Sequence, residues 1–130
     1  ALNSDIMIVA FGTNDIVSGE YGGDGGNNAD EVNGYISAIL EQSQAADCKT
    51  ILFNAPPQDY DEEHEAVRTA LNDMEKQTAE KYGAEYFDFA AQLSTPENPA
   101  GALYGGHPNG EGGEAVCKAF MKQFAELLGK

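Results

Sequence analysis

The chain has 130 residues, 42% of them apolar, with seven Lys or Arg against 22 Asp or Glu and a formal net charge of -15. That length suits one domain and the composition is globular. The acid excess argues against nucleic acid and anionic membrane surfaces as partners, and no apolar run is long enough to span a bilayer.

Residues 5–12, Asp-Ile-Met-Ile-Val-Ala-Phe-Gly, hold no polar side chain between positions 6 and 11. Such a run predicts a strand buried on both faces, in the middle of a parallel sheet. Residues 13–29 are rich in Gly, Asn and Asp and predict a loop. Asp30 is the expected N-cap of a helix ending near Ala46, with Val32, Tyr35, Ile36, Ile39 and Leu40 on its inner face. Cys48 to Ala55 predicts a second strand centred on Ile51, Leu52 and Phe53 and stopped by Pro56 and Pro57. A helix is predicted over residues 62–81, with Val67, Leu71, Met74 and Thr78 along one side. The acidic start Asp61-Glu62-Glu63 favours its N-terminus, and Gly83 is its expected C′ residue. Glu85 to Phe89 predicts a short aromatic strand, followed by a loop over residues 90–108. Asn109 or a neighbour starts a last helix, which turns Val116, Phe120, Phe124, Leu127 and Leu128 inward.

Strand and helix therefore alternate three times. This pattern predicts an α/β fold, a three-layer α/β/α sandwich built on a parallel sheet. Residues 1–130 are expected to form a single domain, without internal repeat or linker. A strand as apolar as the first requires neighbours on both edges, yet three strands give two neighbours to only one of them. The expectation is that a segment upstream of Ala1, or another chain, pairs with the remaining edge.

Ligands of open parallel sheets bind at the carboxyl ends of the strands. Three segments should meet there: Gly12-Thr13-Asn14-Asp15, Asn54-Ala55-Pro56-Pro57, and the long loop holding Gly106-His107-Pro108-Asn109. An amide N–H is a neutral donor suited to a developing oxyanion, and an imidazole is the natural general base near neutral pH. The combination points to acyl transfer.

At this point the sequence resembles a known family. Phe11-Gly12-Thr13-Asn14-Asp15 at the end of an apolar strand is similar to the Gly-x-Asn-Asp block of the SGNH (GDSL-type) hydrolases. Gly106-His107-Pro108-Asn109, followed by Gly110 and an amphipathic helix, resembles their last block, and the double Pro after the middle strand is common among them. The resemblance implies a flavodoxin-like SGNH hydrolase fold without its N-terminal strands, so that the chain is the C-terminal portion of such a domain. It implies Asn14 as the oxyanion-hole donor and His107 as the base that takes the nucleophile's proton and returns it to the leaving alcohol. Gly12 would permit the tight turn and Asp15 would brace it. Family members hydrolyse esters of lipids, acylated sugars or polysaccharides; no metal or other cofactor is implied.

Two departures stand out. The family's nucleophile is the Ser of a Gly-Asp-Ser block, and no such block occurs in these residues. Of the five serines, Ser4 precedes the first strand, Ser37 and Ser43 fall on a helix, Ser94 is in the late loop, and Ser18 is near the rim without a sharp elbow to hold it. The expectation is that the nucleophile comes from a segment absent from this chain. The second departure is Tyr104, which occupies the position three before the histidine where the family usually has Asp. A backbone carbonyl, Asp88, Glu97 or Glu111 is left to orient the imidazole, and sequence does not choose among them.

The remaining features read as structural. His64 lies among acidic neighbours at a solvated helix start. The run Gly22-Gly23-Asp24-Gly25-Gly26-Asn27-Asn28 suggests calcium, but Tyr35 stands where an EF-hand needs Glu, so a rim loop shaping the substrate entrance is expected instead. Cys48 and Cys117 read as two buried small hydrophobes, with a disulfide as the lesser alternative, and the compartment stays open. The leading expectation is thus a serine esterase acting on small-molecule or polysaccharide esters, with short acyl groups on carbohydrate favoured by the polar, Gly/Asn-rich rim. The alternative is a non-catalytic α/β binding or scaffold domain that lost its nucleophile and acid. A flavodoxin-like binding domain is disfavoured, because no Gly-rich phosphate loop precedes a helix.

Overall fold

The computed structural model describes residues 5–16, 28–94, 103, 104 and 107–129. They form two compact units, the first drawn from Ala1–Ala55 and Tyr60–Phe87, the second from Pro56–Asp59 and Asp88–Lys130. The chain has the mixed α/β organisation expected, with a parallel sheet in the first unit.

That sheet has three strands, β1 (Ile6–Ala10), β2 (Lys49–Phe53) and β3 (Glu85–Phe87), in the order β1-β2-β3. Val9 pairs with Leu52 and Ile8 with Ile51. The alternation of a strand then sends Val9 and Leu52 to one face and Ile8 and Ile51 to the other. The first face is covered by α2 (Ala29–Ala45) and α3 (Glu62–Lys81), whose Val32, Ile36, Leu40, Leu71 and Ala79 join Val9 and Leu52 in one cluster. On the opposite face Ile51 and Phe87 are buried, and the rings of Phe53 and Phe87 pack 4.7 Å apart.

Within the described residues the first strand has a partner on one edge only. That partner is β2, and Ile8 and Phe11 are 52% and 55% exposed. An apolar composition on both faces does signal burial, but here burial reaches only Val9 fully. Tyr35, assigned to the inner face of its helix, is also 55% exposed and donates to Glu31 Oε1 at 2.8 Å. The phenol fits the helical stripe by spacing; its hydroxyl holds it at the solvated side instead.

Helix ends follow local chemistry. The N-cap of α2 is Asn28, two residues before the expected Asp30; its Oδ1 accepts from Glu31 N at 2.9 Å. Asp61 caps α3, accepting from the His64 N–H at 2.8 Å and facing His64 Nδ1 at 2.7 Å. These contacts, the backbone N–H first, hold the Asp61 carboxyl below its ordinary range. Gly83 ends α3 with φ +66°, as a C′ residue should. Ser43 and Thr50 share a hydrogen bond that ties the end of α2 to the start of β2, and Ser43 Oγ also donates to the Cys48 carbonyl at 3.2 Å. Thr78 Oγ1 donates to Asn33 Oδ1 at 2.9 Å, joining α3 to α2.

The segments expected as loops contain helix. Thr13–Ile16 forms the single turn α1, and Phe89–Leu93 forms α4, capped by Asp88, which accepts from Ala91 N at 3.0 Å. In the second unit α4 packs on α5 (Gly110–Gln123), which begins at Asn109 as expected; Asn109 Oδ1 accepts from Gly112 N at 2.9 Å. Of its predicted inner residues Phe124 is buried and Phe120 stacks on it at 4.9 Å. A short antiparallel pair, β4 (Leu103–Tyr104) with β5 (His107–Pro108), precedes that helix. Both cysteines are free thiols, and neither is buried as expected: Cys48 is half-buried and Cys117 exposed. No described helix is long and apolar enough to cross a membrane.

The periodicity of α3 conceals one group. Glu75 is fully buried, and neither carboxyl oxygen has a hydrogen-bond partner among the described residues. Burial pushes its pKa up to about 8, against a smaller opposing pull from the Ala55 N–H. A carboxyl whose folded-state pKa lies above its unfolded value holds its proton more tightly when folded. Its contribution is therefore fully present below about pH 4.5 and is lost as pH rises towards 8. Replacing Glu75 by Gln should flatten that dependence. Urea unfolding at several pH values should show the variant gaining on the parent between pH 4.5 and 8, reaching roughly 2–4 kcal/mol above that; a constant difference from pH 4 to 9 would contradict this.

Gly12 closes β1 with φ +109°, and a Cβ there would lie 2.9 Å from Leu71 Cδ2. Gly12→Ala should cost about 1–3 kcal/mol in the same measurement, because strain and a steric contact coincide; an unchanged midpoint would contradict it.

Candidate active site

The carboxyl ends of β1 and β2 carry the first half of the candidate site. After β1 the chain turns at Gly12, whose carbonyl accepts from Ile16 N at 2.9 Å and so closes α1. Ile16 is buried in the core, which anchors the turn, while Asn14 is exposed. The carboxamide is thus free to meet a ligand, at the end of the sheet where ligands of parallel sheets bind. Asp15 is half-buried in the same turn.

Tyr60 packs against the core of this unit, with its Oη out of solvent and lacking a hydrogen-bond partner among the described residues. Burial raises the phenol's pKa; the Arg68 guanidinium and the nearby Thr13 hydroxyl work in the other direction. The end of β2 is held by α3. Asn72 Oδ1 accepts from Ala55 N and Asn72 Nδ2 donates to Ala55 O, both at 3.0 Å, and Arg68 Nη1 donates to the same carbonyl at 3.4 Å. Arg68 is itself gripped by Glu65, through Nε to Oε2 at 2.8 Å and through Nη2 to Oε1. Asn72, Arg68 and Tyr60 were not legible as site residues. The one available signal was a carboxamide beside Leu71 in the inward stripe of a helix.

His107 lies in the second unit, exposed, at the start of β5. It is fixed on two sides: its backbone pairs with that of Tyr104 across the β4–β5 ladder, and two residues later Asn109 caps α5. The position where the resemblance expects Asp is therefore the residue directly opposite the histidine. Of the groups considered in its place, Asp88 is engaged as the cap of α4, Glu111 is exposed in the first turn of α5, and Glu97 lies outside the described residues. Asn14 belongs to the first unit and His107 to the second.

The serines divide similarly. Ser43 is buried in its link between α2 and β2, Ser37 is half-buried on α2, and Ser94 Oγ donates to Ala90 O at 3.0 Å at the end of α4. Ser4, Ser18, Gly106 and residues 22–27 of the Gly-rich run lie outside the described residues. Among the described residues no three His, Cys, Asp or Glu side chains converge to hold a metal ion.

Comparison with known proteins places this architecture. A GDSL-like lipase from Bacteroides thetaiotaomicron superposes with a TM-score of 0.69 at 22% identity, covering 95% of this chain and 63% of that one. A catalytic mutant of an acetylxylan esterase from Geobacillus stearothermophilus gives 0.72 at 19% identity, covering 93% and 59%. An alpha/beta hydrolase enzyme from the metagenome of Lake Arreo, Spain, gives 0.73 at 20%, covering 93% and 60%. The chain thus has their fold and spans about three fifths of their length. No curated protein sequence matches it. Residues 1–115 match the sequence profile of the GDSL-like Lipase/Acylhydrolase family. The match covers both the Gly12–Asp15 turn and the His107 segment, and the chain belongs to that family.

Proposed function

We propose that this chain forms part of a serine esterase acting on carboxylic esters, with Asn14 as oxyanion donor and His107 as general base. The observation that carries the reading is the exposed Asn14 on a turn that Gly12 and Ile16 lock at the carboxyl end of β1. In the proposed reaction His107 takes the proton of a serine hydroxyl as its oxygen attacks the ester carbonyl. The Asn14 N–H donates to the oxygen that becomes negative. The carbonyl carbon then releases the alcohol, which takes its proton from His107, and water repeats the cycle on the acyl-serine to free the acid.

The serine would come from outside these 130 residues, on a strand laid beside β1. In support, the sequence has no Gly-Asp-Ser, and among the described residues β1 pairs with β2 alone, leaving its other edge open. Such an edge invites a parallel partner. The favoured substrates are acetyl esters of carbohydrate, since the rim sequence is polar and one protein of the same fold is an acetylxylan esterase. The second reading, a scaffold domain without catalysis, is favoured by one feature, Tyr104 in the family's acid position.

In the protein joined to its serine-bearing segment, His107→Ala should lower kcat on p-nitrophenyl acetate at least about 100-fold. Asn14→Ala should lower it about 10²–10³-fold with KM little changed. Acetylated xylo-oligosaccharides should be cleaved in preference to long-chain lipid esters, and these 130 residues alone should hydrolyse neither. Full activity of the His107→Ala protein would remove the esterase assignment to this residue; an inactive parent would favour the scaffold reading.

A further inference from the structure

We propose that Asn72 is a positioning residue for Asn14, acting through Ala55 and Gly12. The proposal rests on the reading of Asn14 as the oxyanion donor.

Ala55 lies two residues beyond the end of β2, where the sheet has no more ladder to offer. The last sheet bond runs from Asn54 N to Phe87 O at 3.4 Å, and the next two residues, Pro56 and Pro57, have no N–H. Ala55 is nevertheless 1% exposed, so its peptide groups need partners away from water. Asn72 supplies both. A carboxamide carries a donor and an acceptor in one plane, so it can stand in for the peptide group of a neighbouring strand. No other common side chain of that size does so: Asp would accept from the N–H but set its charge against the carbonyl, and Leu would do neither.

The consequence reaches Asn14 through packing. The position a Cβ would take on Gly12 is 3.9 Å from Ala55 Cβ, 2.9 Å from Leu71 Cδ2 and 3.8 Å from Val32 Cγ1. Ala55 and Leu71, the residue next to Asn72, thus line the space beside Gly12 that a side chain would fill. The Gly12 carbonyl then closes the turn that bears Asn14. A four-residue turn has no helical stability of its own, so its place is set by what it rests on. If Ala55 moves, the surroundings of Gly12 move, and the carboxamide two residues later is displaced from the oxygen it serves. Arg68 supports the same carbonyl but leaves the N–H to Asn72.

The test is a double-mutant cycle in the protein joined to its serine-bearing segment, assayed on p-nitrophenyl acetate. Asn72→Ala should lower kcat on the order of 10–100-fold with KM within about twofold. On an Asn14→Ala background the same change should add little, since the group being positioned is gone. Hydrogen exchange should quicken at the Ile16 amide while the amides of Ile51 and Leu52 in β2 keep their protection. Should Asn72→Ala fail to fold, Asn72→Gln keeps both the donor and the acceptor on a side chain one carbon longer and is expected to show the same pattern with a smaller loss. Additive losses in the two variants, or an unchanged kcat in a protein whose Asn14→Ala form is impaired, would overturn the positioning role. An Asn14→Ala protein with full kcat would overturn the oxyanion assignment itself, and the positioning role with it.

Discussion

Parallel pairing of β1 with β2 is the constraint from which the first unit follows. Two parallel strands cannot be joined by a tight turn; the chain must return to the starting end before the second strand begins. That return is α2, and its successor α3 serves β2 and β3 in the same way. The returns bring the carboxyl ends of β1 and β2 to one edge of the sheet. Gly12 and Ala55, 43 positions apart in sequence, thereby become neighbours: a Cβ placed on Gly12 would lie 3.9 Å from Ala55 Cβ. Local conformation alone would not do this. The register Val9↔Leu52 also decides which side chains face the helices, and a slip of one residue would exchange the core of this unit for its opposite face.

Much of this was legible in the residues because periodicity and punctuation agreed. The helix over residues 62–81 begins and ends where Asp61 and Gly83 place it, since a capping side chain and a left-handed C′ glycine are local signals. The block at residues 12–15 was visible for the same reason. Where expectation and structure part, long-range context decides. An apolar run reports what a strand can bury, not how many neighbours it has; among the described residues β1 has the single neighbour β2. Asn28 rather than Asp30 caps α2 because both residue types cap well and composition does not rank them. The turn α1 and the helix α4 were expected as loop: segments of four and five residues are too short to show a helical period.

Glu75 illustrates a different blindness. On a helix with so many acidic residues, one more carboxylate reads as solvated surface. Its spacing from Leu71 and Ala79 puts it on the inner stripe, and there burial overrides composition. The buried charge is avoided by holding the proton, which is why the carboxyl's pKa is displaced so far upwards. A protein of net charge -15 gains from every carboxylate it keeps neutral, but at the expense of a stability that falls with pH.

Asn72 and Arg68 occupy successive turns of α3, and both bond the peptide groups of Ala55. In most βα units a helix packs on its sheet through apolar contacts, which tolerate small sliding because dispersion is not directional. Hydrogen bonds to a single residue do not tolerate it. Leu71 provides the apolar part of the α3 contact at Gly12, while Asn72 and Arg68 add a directional fastening at Ala55. The fastening stands at the sheet edge where a carboxamide would have to meet an oxygen to within a few tenths of an ångström. At the centre of β2, Ile51 and Leu52 are wholly enclosed. At the carboxyl end of β2 the directional bonds therefore fix Ala55 in a way that the non-directional packing of Leu71 alone would not.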